Sequence, residues 1–427
     1  MIVPPLPLRY RRGMEPMTKG AAVPAARKQE AAMPDPARLR FLRLGTDTLD
    51  AIGTGLGARC TTLPVRPLAG IGALLRRGFG AGLGEIGRAL FRPDAETRAA
   101  VWLNIRRRAL RLPWLFDHAP VLAVYGAVKR LEALGLRHAI AAALDAEAAR
   151  PDPAVALVFN GSKYPEIILA QETAKRRLPR LFLENGHLPG TFQMDPCGIN
   201  ADACLPRDPA FYRKAAARYG EEALPRAVGE RAAKLRHAGE VALPERFVFV
   251  PFQVPSDVQV LRHSPWIRDM RHFHAELVAA ADRNPAVTFV IKEHPSWKRP
   301  IAGRVPPHPR VIFANGARTP DLIRRSEAVL TINSTVGIEA LVLGRKVIVL
   351  GTAIFALPGL VLTARDARTL DAALAALPGF RPDAALRRGF LGHLANAFLV
   401  PGSWREWSPD FPAHAARKIA GRWPRHD

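Results

Sequence analysis

The sequence contains few cysteines. Three occur among 427 residues, Cys60, Cys197 and Cys204, and their spacing matches neither a metal-ligand pattern nor a disulfide framework. We therefore expect three reduced thiols in a cytoplasmic protein.

Long hydrophobic runs and a secretion signal are also missing. No apolar run reaches the roughly 18 residues that a membrane-spanning helix needs. The first twenty residues carry cations, but they lack an adjacent apolar core followed by small residues at a cleavage site. A signal peptide is therefore not expected.

Acidic residues are scarce relative to basic ones. The chain has 38 Asp and Glu against 62 Lys and Arg, which gives a net charge of +24. Such a surplus suits nucleic acid, anionic lipid or small anionic molecules, although GC-rich coding explains it equally well without a partner. No basic motif is interleaved with aromatic residues, which argues against nucleic acid. Three basic clusters are predicted to be solvated helix faces: Arg106–Arg108, Arg176–Arg177 and Arg324–Arg325.

The N-terminal quarter of the chain lacks the regular periodicity of the rest. Residues 1–94 are predicted to form a basic extension whose first forty residues are a flexible arm. Residues 65–92 mix apolar residues with arginines, which is typical of a segment that lies on an anionic membrane. Six glycines between Gly70 and Gly84 disfavour an isolated helix there, so a packed irregular region is the alternative.

Two series of alternating strands and helices follow the extension. Residues 95–240 and 241–380 each show buried apolar strands separated by helical patterns, which predicts parallel sheets. Residues 381–427 are predicted to be a C-terminal helical segment. The expected fold class is therefore α/β, with two Rossmann-like domains facing one cleft and the ligands at the carboxyl ends of the strands.

The second series carries two polar motifs at predicted strand ends. In "KEHPS", Lys292 and His294 point to the same side of the strand and can neutralise a phosphate leaving group. In "LTINSTVGIEALVLGRKVIVL", a strand leads directly into the start of a helix. The first N–H groups of a helix have no partner within it, so they can bind an anion. The candidate donor-binding residues of this motif are Asn333, Ser334, Thr335, Gly337 and Glu339.

Motifs for common cofactors are absent from both series. There is no Gly-x4-Gly-Lys-Ser/Thr loop and no GxGxxG, so neither a P-loop nor a nicotinamide cofactor is expected. No acidic metal-binding motif stands at a strand end. No metal and no cofactor are therefore expected.

The first series offers a carboxylate as the candidate catalytic group. Glu184 ends a strand beside Asn185 and Gly186, where it can act as a base towards a hydroxyl or as a nucleophile at a sugar carbon. A long loop of turn-forming residues, including His187 and Asp202, follows it. The other candidate acceptor and cleft residues are Asn160, Gly161, Lys163, Asn185, Gly186, Asp195, Asn200, Gln253 and Asp257.

Five stretches of the sequence, taken together, resemble one known family. In chain order they are "FNGSKYPE", "LENGHLPGTFQMDPCGINADACLPRD", "FVPFQVPSDVQVLRHSPWI", "IKEHPS" and "TINSTVGIEALVLGRKVIVLG". They resemble the capsular polysaccharide biosynthesis family, nearest to its KpsS/LipA type. The resemblance covers about 200 residues and leaves out the first ninety or so and the tail.

This resemblance implies a GT-B-like glycosyltransferase that moves Kdo from CMP-Kdo, with retention, to a lyso-phosphatidylglycerol anchor or a Kdo linker. It implies that Lys292, His294, Ser334 and Thr335 meet the CMP phosphate and that Glu339 holds the ribose or cytosine. His294 would thus join Glu184 in catalysis. The implied location is the inner face of the cytoplasmic membrane, with a capsule assembly or export complex as a further partner.

One position departs from the family pattern. Related transferases carry an acidic pair before the glycine, whereas this chain has Asn185 as the second member. Glu184 is therefore expected to serve as the catalytic carboxylate, with Asp195 and Asp257 as the alternatives. Two other functions stay open, which are a transferase for another nucleotide sugar and a non-catalytic partner in capsule assembly or export.

Overall fold

A computed structural model describes residues 34–226, 228 and 242–421 of the chain. Most of the predicted flexible arm, residues 1–40, lies outside this part. The described residues contain twelve β-strands, which are β1 (Arg40–Leu44), β2 (Cys60–Leu63), β3 (Ala154–Phe159), β4 (Arg180–Asn185), β5 (Thr191–Asp195), β6 (Val248–Pro251), β7 (Phe289–Lys292), β8 (Val311–Phe313), β9 (Ala328–Thr331), β10 (Lys346–Val349), β11 (Leu362–Thr363) and β12 (Val400–Pro401).

Helices separate most of these strands. Within the same ranges the α-helices are α1 (Asp50–Leu56), α2 (Pro67–Arg77), α3 (Phe79–Phe91), α4 (Ala95–Arg111), α5 (Pro113–Phe116), α6 (Ala119–Ala148), α7 (Glu166–Lys175), α8 (Pro209–Ala215), α9 (Val258–His263), α10 (Met270–Arg283), α11 (Thr319–Arg325), α12 (Val336–Val342), α13 (Ala367–Ala376), α14 (Ala384–His393) and α15 (Phe411–Ile419).

The second domain is built on a six-stranded sheet in which every strand pair is parallel. Its order is β11-β10-β9-β6-β7-β8. Because both faces are covered by helices, its strands are apolar runs rather than alternating patterns. Alternate residues of one strand enter different cores: Phe247 and Phe249 join one, and Val248 and Val250 join the other.

The first domain has a mixed sheet of six strands in the order β12-β5-β4-β3-β1-β2. Strands β2, β1, β3 and β4 are parallel, and β5 and β12 form an antiparallel edge. The predicted loop after Asn185 therefore contains a strand, β5, that returns along β4. Strand β5 leads away from the carboxyl end of β4, since Asp195 pairs with Phe182. The loop beyond it turns back, because Gln193 Nε2 donates both to Asn185 O and to Asn200 Oδ1.

The predicted domain boundaries differ from those of the structure. Part of the supposed N-terminal extension supplies β1 and β2 of the first sheet, because their apolar residues fill its two cores. The C-terminal segment also returns to this sheet, since β12 pairs with β5 and Phe411 of α15 is buried in one of those cores. The first domain is thus assembled from both ends of the described chain.

Helices, rather than an irregular region, occupy residues 67–91. Gly70 permits close packing here, because a Cβ at this position would lie only 1.7 Å from the backbone oxygen of Gly135 in α6. Tertiary packing therefore overrides the low helix propensity. Among the residues that the structure describes, no helix is both long enough and apolar enough to cross a membrane.

The two domains meet across a cleft at the carboxyl ends of their central strands. Arg262 of α9 donates to Ser162 Oγ, which follows β3, at 2.5 Å, and pairs with Asp202 at 3.2 Å. Arg107 of α4 donates from Nε to the backbone oxygen of Ser256 at 3.1 Å. The predicted fold class, α/β with two Rossmann-like domains facing a cleft in the GT-B-like arrangement, is confirmed.

Candidate functional site

A cavity of about 580 Å³ lies in this cleft. Its volume is typical of a small-molecule site. His294, two residues beyond β7, lines it, and the Nδ1 atom of this ring lies 2.8 Å from Ser296 Oγ. Of the predicted cleft residues, Lys163 and Asp257 also line it. The cavity therefore brings together parts of motifs from both series.

Lys292, in contrast, is not on the cavity wall. Its Nζ donates to the backbone oxygens of Asn315 at 2.8 Å and Ala317 at 2.6 Å. Burial lowers the pKa of its ammonium group. Lys292 therefore supports the loop after β8.

Asn333 and Gln253 hold each other in place. Gln253 Nε2 donates to Asn333 Oδ1 at 3.0 Å, and Asn333 N donates to Gln253 Oε1 at 3.3 Å. Asn333 Nδ2 also donates to the backbone oxygens of Gln259 and His263 in α9. The pair therefore fixes α9 to the carboxyl end of β9, a structural role that the sequence did not indicate.

The rest of the Asn-Ser-Thr motif opens α12, as predicted. Ser334 Oγ accepts from Val336 N at 3.3 Å, and Thr335 is the residue before the helix. Packing explains the glycine at position 337, because a Cβ on Gly337 would lie 2.6 Å from the ring of Phe355. Glu339 is half-buried in the first turn of the helix.

Glu184 is held by two asparagines at the carboxyl end of β4. Asn160 Nδ2 donates to its Oε2 at 2.7 Å, and the backbone N and Nδ2 of Asn185 both donate to its Oε1 at 3.0 Å. Trp404, from the C-terminal segment, in turn donates to Asn185 Oδ1 at 3.0 Å. These contacts fix the orientation of the carboxylate, although Glu184 is not among the residues that line the cavity.

Asparagine and glycine form the tight turns that follow β3 and β4, beside Glu184. Asn160 and Gly161 both have positive φ, 65° and 70°, a conformation that asparagine and glycine tolerate best. Gly186 follows β4 and donates its N–H to the backbone oxygen of Thr191 in β5. These turns place Lys163 on the cavity wall three residues after Asn160.

The loop after β5 corrects two expectations. Asp195 is fully buried, so it is not a cleft residue; its carboxylate accepts the backbone N–H groups of Cys197, Gly198 and Cys204. Burial raises the pKa of Asp195, against the opposing effect of these bonds. Cys197 and Cys204 form a disulfide rather than two thiols, because the loop curls around Asp195 and brings their Cα atoms to 5.5 Å.

Among the described residues, one group of side chains has its possible ligand atoms close enough together to hold a metal ion. Asp195, Cys197 and Cys204 do come together, but the disulfide occupies both sulfur atoms. Asn200, in the same loop, donates from its backbone to Gln193 Oε1 at 2.8 Å. It thereby anchors the loop to β5.

Sequence reasoning missed several residues of the cleft. Arg107 and Arg111 line the cavity, whereas the cluster that contains Arg107 was predicted to face solvent. Their spacing of four residues places both on one helix face, which was the available signal. Ser256, which the sequence places beside Asp257 at the mouth of the cleft, also lines the cavity, and the other missed residues of the wall are Val254, Val258, Ser296, Trp297, Lys298 and Arg299.

Two acids that were not candidate site residues have shifted pKa values. Burial opposes ionisation of Asp202, but the ring of His263, whose Nε2 lies 3.4 Å from the carboxylate, and the charge of Arg262 lower its pKa overall. Burial raises the pKa of Glu166, in the first turn of α7, to about 8, although Phe159 N donates to it. Asp202 is thus an ionised bridge between the domains, and Glu166 is a neutral buried acid at moderate pH.

The model of the family described as "Capsule polysaccharide biosynthesis protein" matches residues 230–403. FixF of Sinorhizobium fredii (strain NBRC 101917 / NGR234) is 49% identical over 303 residues, which cover 71% of this chain and 74% of FixF. The chain belongs to the capsule polysaccharide biosynthesis family.

Two further similarities accompany this assignment. The capsule polysaccharide export protein KpsS of Escherichia coli is 30% identical over 163 residues, covering 36% of this chain and 40% of KpsS. The solved structure of the KpsC β-Kdo 2,7 transferase of Thermosulfurimonas dismutans superposes with a TM-score of 0.40 and 19% identity, covering 66% of this chain and 88% of that one.

Proposed function

We propose that the protein is a glycosyltransferase of capsule polysaccharide biosynthesis. The cavity between the two Rossmann-like domains is the observation that carries this proposal. It lies at the carboxyl ends of the strands, where open α/β sheets bind their ligands. Its wall combines His294 with an excess of cations, which suits a phosphate-bearing donor. Membership of the capsule family agrees with it.

The proposed donor is CMP-Kdo, bound mainly by the second domain. His294 is placed to stabilise the negative charge that develops on the phosphate as CMP leaves. Ser334, Thr335 and the start of α12 would meet the same phosphate, and Glu339 the ribose or cytosine. Lys292 would act indirectly, by holding the loop after β8 in place. The proposed reaction uses no metal and no cofactor.

The proposed catalytic carboxylate is Glu184. For transfer with retention, an oxygen of Glu184 attacks the anomeric carbon, and CMP departs with the electrons of the broken bond. The acceptor hydroxyl then displaces the carboxylate from the same carbon and loses its proton to solvent or to a nearby base. The net result is one glycosidic bond, free CMP and an unchanged enzyme.

CMP release by the purified full-length chain tests the proposal. The reaction would contain CMP-Kdo and lyso-phosphatidylglycerol, and NMR of the product would give its anomeric configuration. Wild-type protein is expected to release CMP and form a retained Kdo-lipid. His294→Ala is expected to lower the rate about 10- to 100-fold, the worth of one charged hydrogen bond. The exposed His118→Ala is the matched control.

Two other functions remain candidates. Release of another nucleotide, but not CMP, would point to a different nucleotide-sugar donor. Absence of any nucleotide binding would favour a non-catalytic partner in capsule assembly or export. Asn185 is the residue that bears on this second alternative. Its bonds to Glu184 and Trp404 provide a structural reason for asparagine, and this reason is compatible with catalysis.

We also propose that the protein associates peripherally with the inner face of the cytoplasmic membrane. Helices α2 and α3 expose large apolar side chains: Leu68 is 86% exposed, Phe91 83% and Phe79 68%. Exposed Arg76, Arg77, Arg88 and Arg92 accompany them. Apolar side chains beside cations are typical of a surface that docks on anionic lipid.

Vesicle flotation tests this association. Wild-type protein should float with vesicles that contain phosphatidylglycerol and less with neutral phosphatidylcholine vesicles. The triple variant Leu68→Ser, Phe79→Ser, Phe91→Ser should lose flotation while keeping its unfolding temperature, because these side chains are solvent-exposed. Equal flotation of wild type and variant would remove the proposal.

A further inference from the structure

Arg107 and Arg111 reach across the cleft from the first domain. Both lie on the face of α4 that meets the second domain at Ser256. Arg107 Nε donates to Ser256 O at 3.1 Å, and Arg111 Nε donates to Ser256 Oγ at 3.2 Å. Each contact uses the Nε–H of a guanidinium that has five N–H donors. The two side chains are thereby positioned on the wall of the cavity, with their Nη groups not engaged in these contacts.

The cavity wall has a large charge imbalance. Five Lys and Arg side chains line it against one acid, so the surplus is four positive charges (five minus one). The acid, Asp257, already accepts the N–H of Gln259 at the start of α9. Burial lowers the pKa of Arg107, and the nearby charge of Arg111 lowers it further, since these like charges repel each other. An anionic ligand would relieve this repulsion.

We propose that Arg107 and Arg111 bind the anionic group of the acceptor, a phosphate or a carboxylate. This inference rests on the proposed transferase function. The two arginines belong to the first domain, whereas His294 and the Trp297–Arg299 segment of the wall belong to the second. A donor held by the second domain leaves the arginines facing the other substrate. Paired guanidinium groups suit this role because they bind planar or tetrahedral oxyanions through parallel hydrogen bonds.

Two acceptor classes share this chemistry. A phosphate would come from a lipid headgroup, and a carboxylate from an acidic glycan. The charge excess alone fits both. The experiment therefore compares a phosphate probe, a carboxylate probe and an uncharged probe on the same protein.

The test is equilibrium binding to the full-length chain. The probes are a short-chain lyso-phosphatidylglycerol below its critical micelle concentration, a Kdo disaccharide, and an uncharged monoacylglycerol of the same chain length. The double variant Arg107→Gln/Arg111→Gln should bind one of the two anionic probes about 10- to 100-fold more weakly than wild type, as expected for the loss of charged hydrogen bonds. The variant should leave the uncharged probe unchanged. Arg107→Lys/Arg111→Lys, which keeps the charge without the paired geometry, should recover part of the loss.

The matched control is Arg324→Gln/Arg325→Gln, which alters an exposed arginine pair on α11. It should bind every probe like wild type. The inference is overturned if wild type binds neither anionic probe, or if the Arg107/Arg111 variant binds both as wild type does. Equal weakening of the uncharged probe would also overturn it, since this indicates general damage.

Turnover separates this inference from the proposed function. With CMP-Kdo, the glutamine pair should raise the KM of the anionic acceptor while the KM of CMP-Kdo changes by less than about 2-fold. A wild-type protein that binds an anionic probe through Arg107 and Arg111 but never releases CMP would refute the transferase proposal and keep the anion site. A raised donor KM with an unchanged acceptor KM would show that the arginines serve the donor, against the inference.

Discussion

The two domains present their strand ends to the cleft in different ways. The second domain has an all-parallel sheet of six strands that follow one another in the chain, and polar residues at its strand ends bind within their own domain, as in the Asn333–Gln253 pair. The first domain is assembled from distant segments, and its Glu184 depends on Asn185, which Trp404 holds from the far end of the chain. The second side of the cleft is therefore locally preformed, and the first side depends on long-range assembly.

The largest expected effect comes from the carboxylate of the first domain. Glu184→Gln removes the proposed nucleophile but keeps the shape and part of the hydrogen bonding. We expect kcat to fall at least about 10³-fold, comparable to the loss of other key electrostatic groups, with little change in the KM of CMP-Kdo. Steady-state CMP release measures both constants. Glu222→Gln, at an exposed site, is the control, and retained activity in Glu184→Gln would move the catalytic role to Asp257 or Asp202.

Loss of the long-range support should damage the first domain. Trp404 is 8% exposed, its ring lies 4.4 Å from that of Phe159, and it bonds to Asn185. Trp404→Ala should lower the free energy of unfolding by about 3–5 kcal/mol, the usual cost of truncating a buried aromatic residue. Urea unfolding would measure this loss. Trp114→Ala, at a residue 67% exposed, should cost far less; similar losses for the two variants would contradict the dependence on the C-terminal segment.

The buried acid of the first domain should make stability depend on pH. The pKa of Glu166 is raised to about 8 by burial, so the folded state keeps a proton that the unfolded state releases above its lower, ordinary pKa. The contribution of Glu166 to the free energy of unfolding is fully present below about pH 4.5. It falls by about 1.4 kcal/mol per pH unit as the pH rises towards 8.

Glu166→Gln should remove this slope. Urea unfolding at pH 5, 6 and 7 would compare it with wild type, and the difference in unfolding free energy between the two proteins should change by roughly 2–3 kcal/mol over those two units. A constant difference across the range would show that Glu166 is ionised in the folded protein.

A smaller effect is expected from Lys292 in the second domain. Lys292→Met removes two hydrogen bonds to backbone carbonyls and leaves these oxygens without their donor. We expect a loss of about 1–3 kcal/mol in unfolding free energy, and a smaller loss of CMP affinity than His294→Ala causes. Thermal unfolding and calorimetry measure the two quantities, with exposed Lys214→Met as control. Unchanged stability with a larger loss of CMP affinity would instead place Lys292 on the phosphate.

The strands and helices of the second domain were predictable because each is marked by a pattern in neighbouring residues. Each strand is an apolar run followed by a polar motif, and the parallel arrangement follows from the helices between them. The strand-end positions of His294, Ser334 and Glu184 could be derived in the same way. What each side chain contacts could not, since the carbonyl partners of Lys292 and the pairing of Asn333 with Gln253 depend on tertiary structure.

The first domain was harder to predict for a physical reason. Strand β1 pairs with β3 across more than a hundred residues, and β12 joins β5 from the C-terminal segment. Such pairings leave no local pattern. Gly70 of α2 was misleading because its advantage, close contact with Gly135, appears only once α6 packs against it. Arg107 was assigned to solvent because a helix pattern does not reveal which domain will cover its polar face.

The central claim is that the second domain binds the donor and the first supplies the catalytic carboxylate. Its most direct test is calorimetric titration of CMP into wild type, His294→Ala and Glu184→Gln. We expect wild type to bind CMP, His294→Ala to bind about 10- to 100-fold more weakly, and Glu184→Gln to bind as wild type does. This result would place the donor on the second domain and leave the first for catalysis and the acceptor. Wild-type protein that does not bind CMP, or CMP binding that depends on Glu184 and not on His294, would contradict the account.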